Sequence, residues 1–231
     1  MKDNILTHVI NKIQQSNLCL EPSLHFEFSN ILPSDVYEEV IQRFPLKEHF
    51  QPLMHQDAMM KDGGSSRGEI YLNPTGLAKL SPDDREFWLT VGDVFCSDIL
   101  CKTLQDKLRL DGDLVAKPSL YQDRSGYQIR PHTDIYTKAI TMQIYLPIDT
   151  KMENYGTTFY SKIEEHFVPA KRISFIPNKG YAFPVSNCSW HGVEKIDAPN
   201  VTRNSLMIIF YHQQYLTEAG DINFVDPKVM R

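Results

Sequence analysis

The chain has 231 residues, 42% of them hydrophobic and 23% charged, enough for one domain with a sizeable core. A formal charge of −5 and a pI near 5.9 argue against the basic stripe of a nucleic-acid binder. Met1 to His8 is too polar for a signal peptide, and no apolar run approaches the roughly 18 residues of a membrane span. Cys19, Cys96, Cys101 and Cys188 lack metal-finger spacing, so reduced thiols and a cytoplasmic location are expected.

Ile5, Leu6, Val9, Ile10 and Ile13 recur at helical spacing and predict an amphipathic first helix. Leu24, Phe26 and Phe28 alternate as a strand, with His25 and Glu27 expected on the outer face. Ser34 is the expected cap of a helix through Val36, Val40 and Ile41. The segment from Pro45 to Pro74 reads as loop, with Asp62 to Arg67 mobile. Such a loop either covers a substrate entrance or has no role. Ser81-Pro82-Asp-Asp84 predicts the capped start of one long helix. Its buried stripe runs from Phe87 and Trp88 through Ile99 to Leu108.

Residues 121–134 carry the chemistry. In an extended chain His132 and Asp134 project to one side and can reach one ion, with Thr133 turned away. A ferrous ion that also binds oxygen and a co-substrate wants two imidazoles and one carboxylate on one face, so a distant His should complete the set. His-x-acid pairs also arise by chance, about once in a chain of this composition. His25-Phe-Glu27 reads as strand surface, and His55-Gln-Asp57 lies in a segment with no period to hold it. Only His132 and Asp134 precede a strand, Ala139 to Leu146, in which Ile140, Met142, Ile144 and Leu146 share a face. Short strands follow near 156–160, 173–176 and 181–183, with a turn at 177–180. The last run, Leu206 to Tyr211, is apolar throughout, as in a strand covered on both faces. This pattern suggests a mainly β sandwich or antiparallel barrel with supporting helices.

Tyr121, Gly126-Tyr127, His132-Thr-Asp134, His191 and Arg203, in that order, resemble the catalytic half of the iron(II)- and 2-oxoglutarate-dependent oxygenases, particularly the prolyl hydroxylase-like branch. The resemblance implies a double-stranded β-helix (jelly-roll, cupin-like) core, within a single domain spanning 1–231. Residues 1–115 would supply a strand and helices, and 116–215 the catalytic half. It implies His132, Asp134 and His191 as iron ligands. The planar guanidinium of Arg203 would clamp the far carboxylate of 2-oxoglutarate in bidentate fashion, helped by the Ser205 hydroxyl and Tyr121. The interval from His191 to Arg203 is a few residues longer than in the branch it most resembles.

The expected activity is hydroxylation of an unactivated C–H, with oxygen consumed and 2-oxoglutarate decarboxylated to succinate. Because Asp134 occupies a ligand position, a halogenase is disfavoured. The absence of an added recognition domain favours a small metabolite or amino acid as substrate, with Arg130, Tyr127 and Trp190 as contacts. The alternatives are a prolyl-type hydroxylase acting on a protein, a cupin-like non-oxidative metalloenzyme, and a binding protein with a decayed site. Neither a membrane nor a nucleic-acid partner is expected, and the oligomeric state is open.

Overall fold

In the computed structural model, which describes residues 1–199, 201–217 and 221, the first helix α1 spans Lys2–Gln15 and buries Ile5, Val9 and Ile13 completely. Strands β1 (Leu18–Cys19) and β2 (His25–Ser29) follow. Phe26 and Phe28 of β2 face the core as expected, but His25 is not on the surface. It is 1% exposed and stacks on Phe159 with ring centroids 4.7 Å apart. The outer face of a strand in a two-layer fold is covered by the second sheet, which alternation within one strand does not reveal.

Helix α2 (Ser34–Gln42) starts one residue early, with Pro33 as its cap and no side-chain cap bond. Proline already has a φ suited to this position, and its carbonyl accepts the amide of Tyr37 at 2.9 Å, so Ser34 lies inside the helix. The segment read as loop contains two strands, β3 (Gln51–Pro52) and β4 (Arg67–Tyr71). Within it the Gly64 amide donates to Asp62 and the Ser66 amide to the carbonyl of Ala58, so residues 62–67 are tied down.

The long helix is two helices, α3 (Pro82–Phe95) and α4 (Asp98–Leu108). Ser81 caps the first, as predicted, by accepting from the amide of Asp84. Ser97 is extended and its hydroxyl accepts from Leu100, so a second N-cap interrupts the stripe. The restart changes the helical phase and leaves Ile99 63% exposed.

Strands β5 (Leu114–Arg124), β6 (Ile129–His132), β7 (Lys138–Tyr145), β8 (Thr158–Ile163), β9 (His166–Arg172), β10 (Lys179–Pro184), β11 (His191–Val193) and β12 (Thr202–His212) complete the described strands. The strand expected at 173–176 lies earlier, as β9. That strand is exposed along most of its length and carries little apolar signal, whereas Ile173 and Phe175 are buried without being in a strand. Eight strands pair in the order β1-β2-β10-β7-β12-β5-β4-β3, and four in the order β6-β11-β8-β9. Every pairing is antiparallel. The N-terminal strands therefore share the larger sheet with β5, β7, β10 and β12, while β6 and β11 lie in the smaller one.

The larger sheet separates two interiors. Ile140, Met142, Ile144, Leu206, Ile208 and Phe210 project toward the helices and are fully buried. Each contributes roughly 1.5–3 kcal/mol of burial. The alternate phase, including Thr141, Gln143, Arg203, Ser205 and Met207, faces the smaller sheet. Strand β7 is thus buried on both faces. Between the sheets, Tyr145, Phe159, Ile173, Phe175, Tyr181 and Phe183 form a mostly aromatic cluster. This inner phase lines a cavity of about 490 Å³.

Candidate functional site

His132 ends β6 and His191 begins β11, and the two are cross-strand partners with ring centroids 4.4 Å apart. Their closeness follows from the pairing of two strands far apart in sequence. Gly192 keeps that pairing tight, because a Cβ at this position would lie 2.6 Å from the carbonyl oxygen of Ile129. Asp134 lies just past β6, outside the strand, and Thr133 borders the cavity instead of pointing away. The loop still delivers the carboxylate. Among the described residues His132, Asp134 and His191 form one cluster of potential ligands, with ligand atoms within 4.8 Å of one another.

The two imidazoles are oriented alike. His132 Nδ1 lies 2.9 Å from the carbonyl oxygen of Arg130, and His191 Nδ1 lies 3.0 Å from that of Ser189. A carbonyl accepts only, so Nδ1 carries the proton and Nε2 presents a lone pair. His191 Nε2 is 3.9 Å from Asp134 Oδ2. Burial pushes the His191 pKa down to about 4, only partly countered by Asp134, so the ring is neutral at neutral pH. Burial works against the Asp134 charge, but Lys138, His191 and Thr141 outweigh it and hold the carboxyl well below its usual range. Lys138 Nζ lies 2.5 Å from Oδ1, and the Thr141 hydroxyl donates to Oδ2 at 2.7 Å. Two imidazoles and one carboxylate, each steadied by a further partner, fit the donor set of a non-haem ferrous centre.

Arg203 borders the same cavity and is 1% exposed. Its fork is not open, as the sequence reading expects. Nε donates to the carbonyl of Tyr155 at 2.8 Å and Nη1 to Asp123 at 2.7 Å, while Nη2 reaches Gln143 at 3.2 Å and Thr157 at 3.1 Å. A buried guanidinium without counter-charge is costly, and Asp123, directly opposite on β5, supplies one. Ser205 is fully buried, accepts from Gln143 Nε2 at 2.9 Å and does not line the cavity. Tyr121 does line it, but its hydroxyl donates to Glu69 at 2.5 Å.

Of the three expected substrate contacts only Tyr127 reaches the cavity, with its hydroxyl accepting from Arg67 at 2.6 Å. The Arg130 side chain is 68% exposed, pairs with Asp57 at 3.0 Å and does not line the cavity. Trp190 packs against Phe167 with the rings tilted and their centroids 4.7 Å apart, and it does not line the cavity. Trp190 is the immediate neighbour of His191, so it points to the opposite face, whereas Arg130 shares the parity of His132 but its side chain is held at the surface by Asp57.

The sequence reading missed Arg67, Asp123, Lys138, Gln143 and Thr157. Gln143 left a trace, because Thr141, Gln143 and Tyr145 form a polar phase alternating with the apolar one in β7. Arg67 left none, lying in a segment with no readable period.

No family model and no curated protein matches the sequence. Solved structures do. A prolyl hydroxylase from Trichoplax adhaerens, in complex with a hypoxia inducible factor oxygen degradation domain peptide fragment, superposes with a TM-score of 0.58 at 15% identity, covering 92% of this chain and 91% of that one. A Pseudomonas putida prolyl-4-hydroxylase gives a TM-score of 0.58 at 13% identity, over 90% of this chain and 100% of the other. The non-heme alpha ketoglutarate dependent epimerase SnoN from nogalamycin biosynthesis gives 0.54 at 12%, over 97% and 93%. The protein therefore has the jelly-roll fold of the prolyl hydroxylases.

Proposed function

We propose that the protein is an iron(II)- and 2-oxoglutarate-dependent oxygenase that hydroxylates an unactivated C–H of a small metabolite or amino acid. The observation that carries this reading is the pair of imidazoles, each with Nδ1 engaged and Nε2 free, facing the Asp134 carboxylate. His132, Asp134 and His191 would hold the metal, and Arg203 would receive the far carboxylate of 2-oxoglutarate. Bound iron(II) would couple oxygen consumption to decarboxylation of the co-substrate.

The chain's own residues have distinct tasks in this scheme. Lys138 and Thr141 keep the Asp134 carboxylate ionised and oriented. Asp123, Gln143 and Thr157 hold the Arg203 guanidinium in one plane, so a carboxylate arriving there meets a pre-organised donor. Met207 and Ile209 supply an apolar wall that limits water near the reacting C–H.

Two of the structural neighbours support different substrate classes, a peptide fragment in one and a small molecule's biosynthesis in the other. Peptidyl hydroxylation is therefore kept as the second reading. The test is succinate formation by iron-loaded protein supplied with 2-oxoglutarate and panels of amino acids, small metabolites and proline-containing peptides. His132→Ala and Asp134→Ala are each expected to abolish it while leaving the circular dichroism spectrum unchanged. Unaltered turnover in either variant would refute the ligand assignment. Metal binding without 2-oxoglutarate turnover would favour a non-oxidative protein.

A further inference from the structure

A second guanidinium, that of Arg67, borders the cavity and has no task in the proposed reaction. Arg67 opens β4 and its side chain is 11% exposed. Its guanidinium carbon lies 4.2 Å from the Tyr121 ring centroid and 5.0 Å from that of Tyr127. Two phenol rings therefore fix its position. Nη1 donates to the Tyr127 hydroxyl, and Nε lies 3.1 Å from Asp123 Oδ1 without the alignment of a hydrogen bond. Nη2 has no partner among the described residues, and it is not among the polar atoms sealed from solvent.

Charge pairing around Arg67 is incomplete on the cavity side. Asp123 faces Arg67 through one oxygen and Arg203 through the other, so one buried carboxylate is shared by two guanidiniums, with Glu69 adding a more distant charge near Arg67. Glu69, on the same face of β4, is engaged by the Tyr121 hydroxyl and does not border the cavity. Protein groups take four of the five Arg203 N–H groups and leave one on Nη1, whereas Arg67 borders the space shared with the metal ligands with its Nη2 unpartnered among the described residues. A planar guanidinium held between rings with one edge open is suited to a carboxylate.

We propose that Arg67 is the specificity-determining residue for the substrate, binding a free carboxylate on a small molecule through its Nη2 edge. The assignment rests on the oxygenase reading. A neutral amide in place of the acid would forfeit the charge-assisted bond and leave the cation without its partner.

The experiment is calorimetric titration of the full chain, loaded with Mn(II) and 2-oxoglutarate, with free L-amino acids and simple aliphatic and aromatic carboxylic acids at millimolar concentration. Each acid is compared with its carboxamide. At least one acid is expected to bind about tenfold or more tighter than its amide. Arg67→Gln should erase that preference, losing about tenfold more acid affinity than 2-oxoglutarate affinity. Arg67→Lys keeps a charge against Asp123 but lacks the fork, and should fall between. Should Arg67→Gln not fold, the comparison in the natural protein and in Arg67→Lys decides the matter. Equal binding of acid and amide, binding by no acid, or a preference that survives in the variants would overturn the assignment. So would an equal loss of 2-oxoglutarate affinity, which would make Arg67 part of the co-substrate site. If 2-oxoglutarate itself fails to bind the Mn(II)-loaded natural protein, the oxygenase reading falls first and this assignment with it.

Discussion

Arg203 shows how one side chain serves both stability and chemistry. Its guanidinium neutralises Asp123 inside the fold, so Arg203→Ala leaves that carboxylate with only the poorly aligned Arg67. A loss of about 3 kcal/mol in urea-unfolding free energy is expected. Affinity of the Mn(II)-loaded protein for 2-oxoglutarate should also fall by about 2–4 kcal/mol, measured by calorimetry. Unchanged co-substrate affinity would move the clamp elsewhere. His132, Asp134 and His191 were legible because their chemistry requires those side chains in a recognisable order. Asp123 was not, because an aspartate in a strand reads as a surface residue until its partner across the sheet is known. Arg130 and Trp190 mark the opposite error, since both lie near ligands in sequence yet do not line the cavity.

Elements owe their boundaries to single residues. The break between α3 and α4 depends on the Ser97 cap, and Ser97→Ala should cost about 1 kcal/mol in thermal or urea unfolding. No change would mean that packing of Leu100 and Leu104 alone restarts the helix. On the smaller sheet, Gly192→Ala drives a Cβ toward the carbonyl of Ile129 and should push β11 off β6. Because that pairing aligns His132 with His191, Mn(II) affinity is expected to drop about tenfold, a scale typical of disturbing a ligand's support. Titration followed by Mn(II) electron paramagnetic resonance checks this. Strands with a strong apolar signal, alternating in β7 and unbroken in β12, were readable from the chain. The short β4 and the exposed β9 were not, because pairing rather than hydrophobic period defines them.

The whole molecule couples its stability to pH through the buried site. His191 takes a proton less readily when folded than the ordinary value of 6.5, down to about 4. The unfolded chain therefore binds protons first as pH falls. This contribution is fully present above about pH 6.5 and is lost progressively toward pH 4. Urea midpoints of the metal-free protein should decline over that window, and His191→Gln should flatten the decline. An identical pH profile in the variant would contradict the burial of a neutral ring. At this scale the order of ligand-type residues, the helical stripe of α1 and the two-sided burial of β12 were determined by the sequence alone, because each is a local pattern of residue types. What only the tertiary structure decided is which side chains meet: His25 under Phe159, Asp123 between Arg67 and Arg203, and Arg67 against the cavity. Those meetings depend on which strands pair and which face the second sheet covers, and such non-local contacts leave no period in a single chain to read.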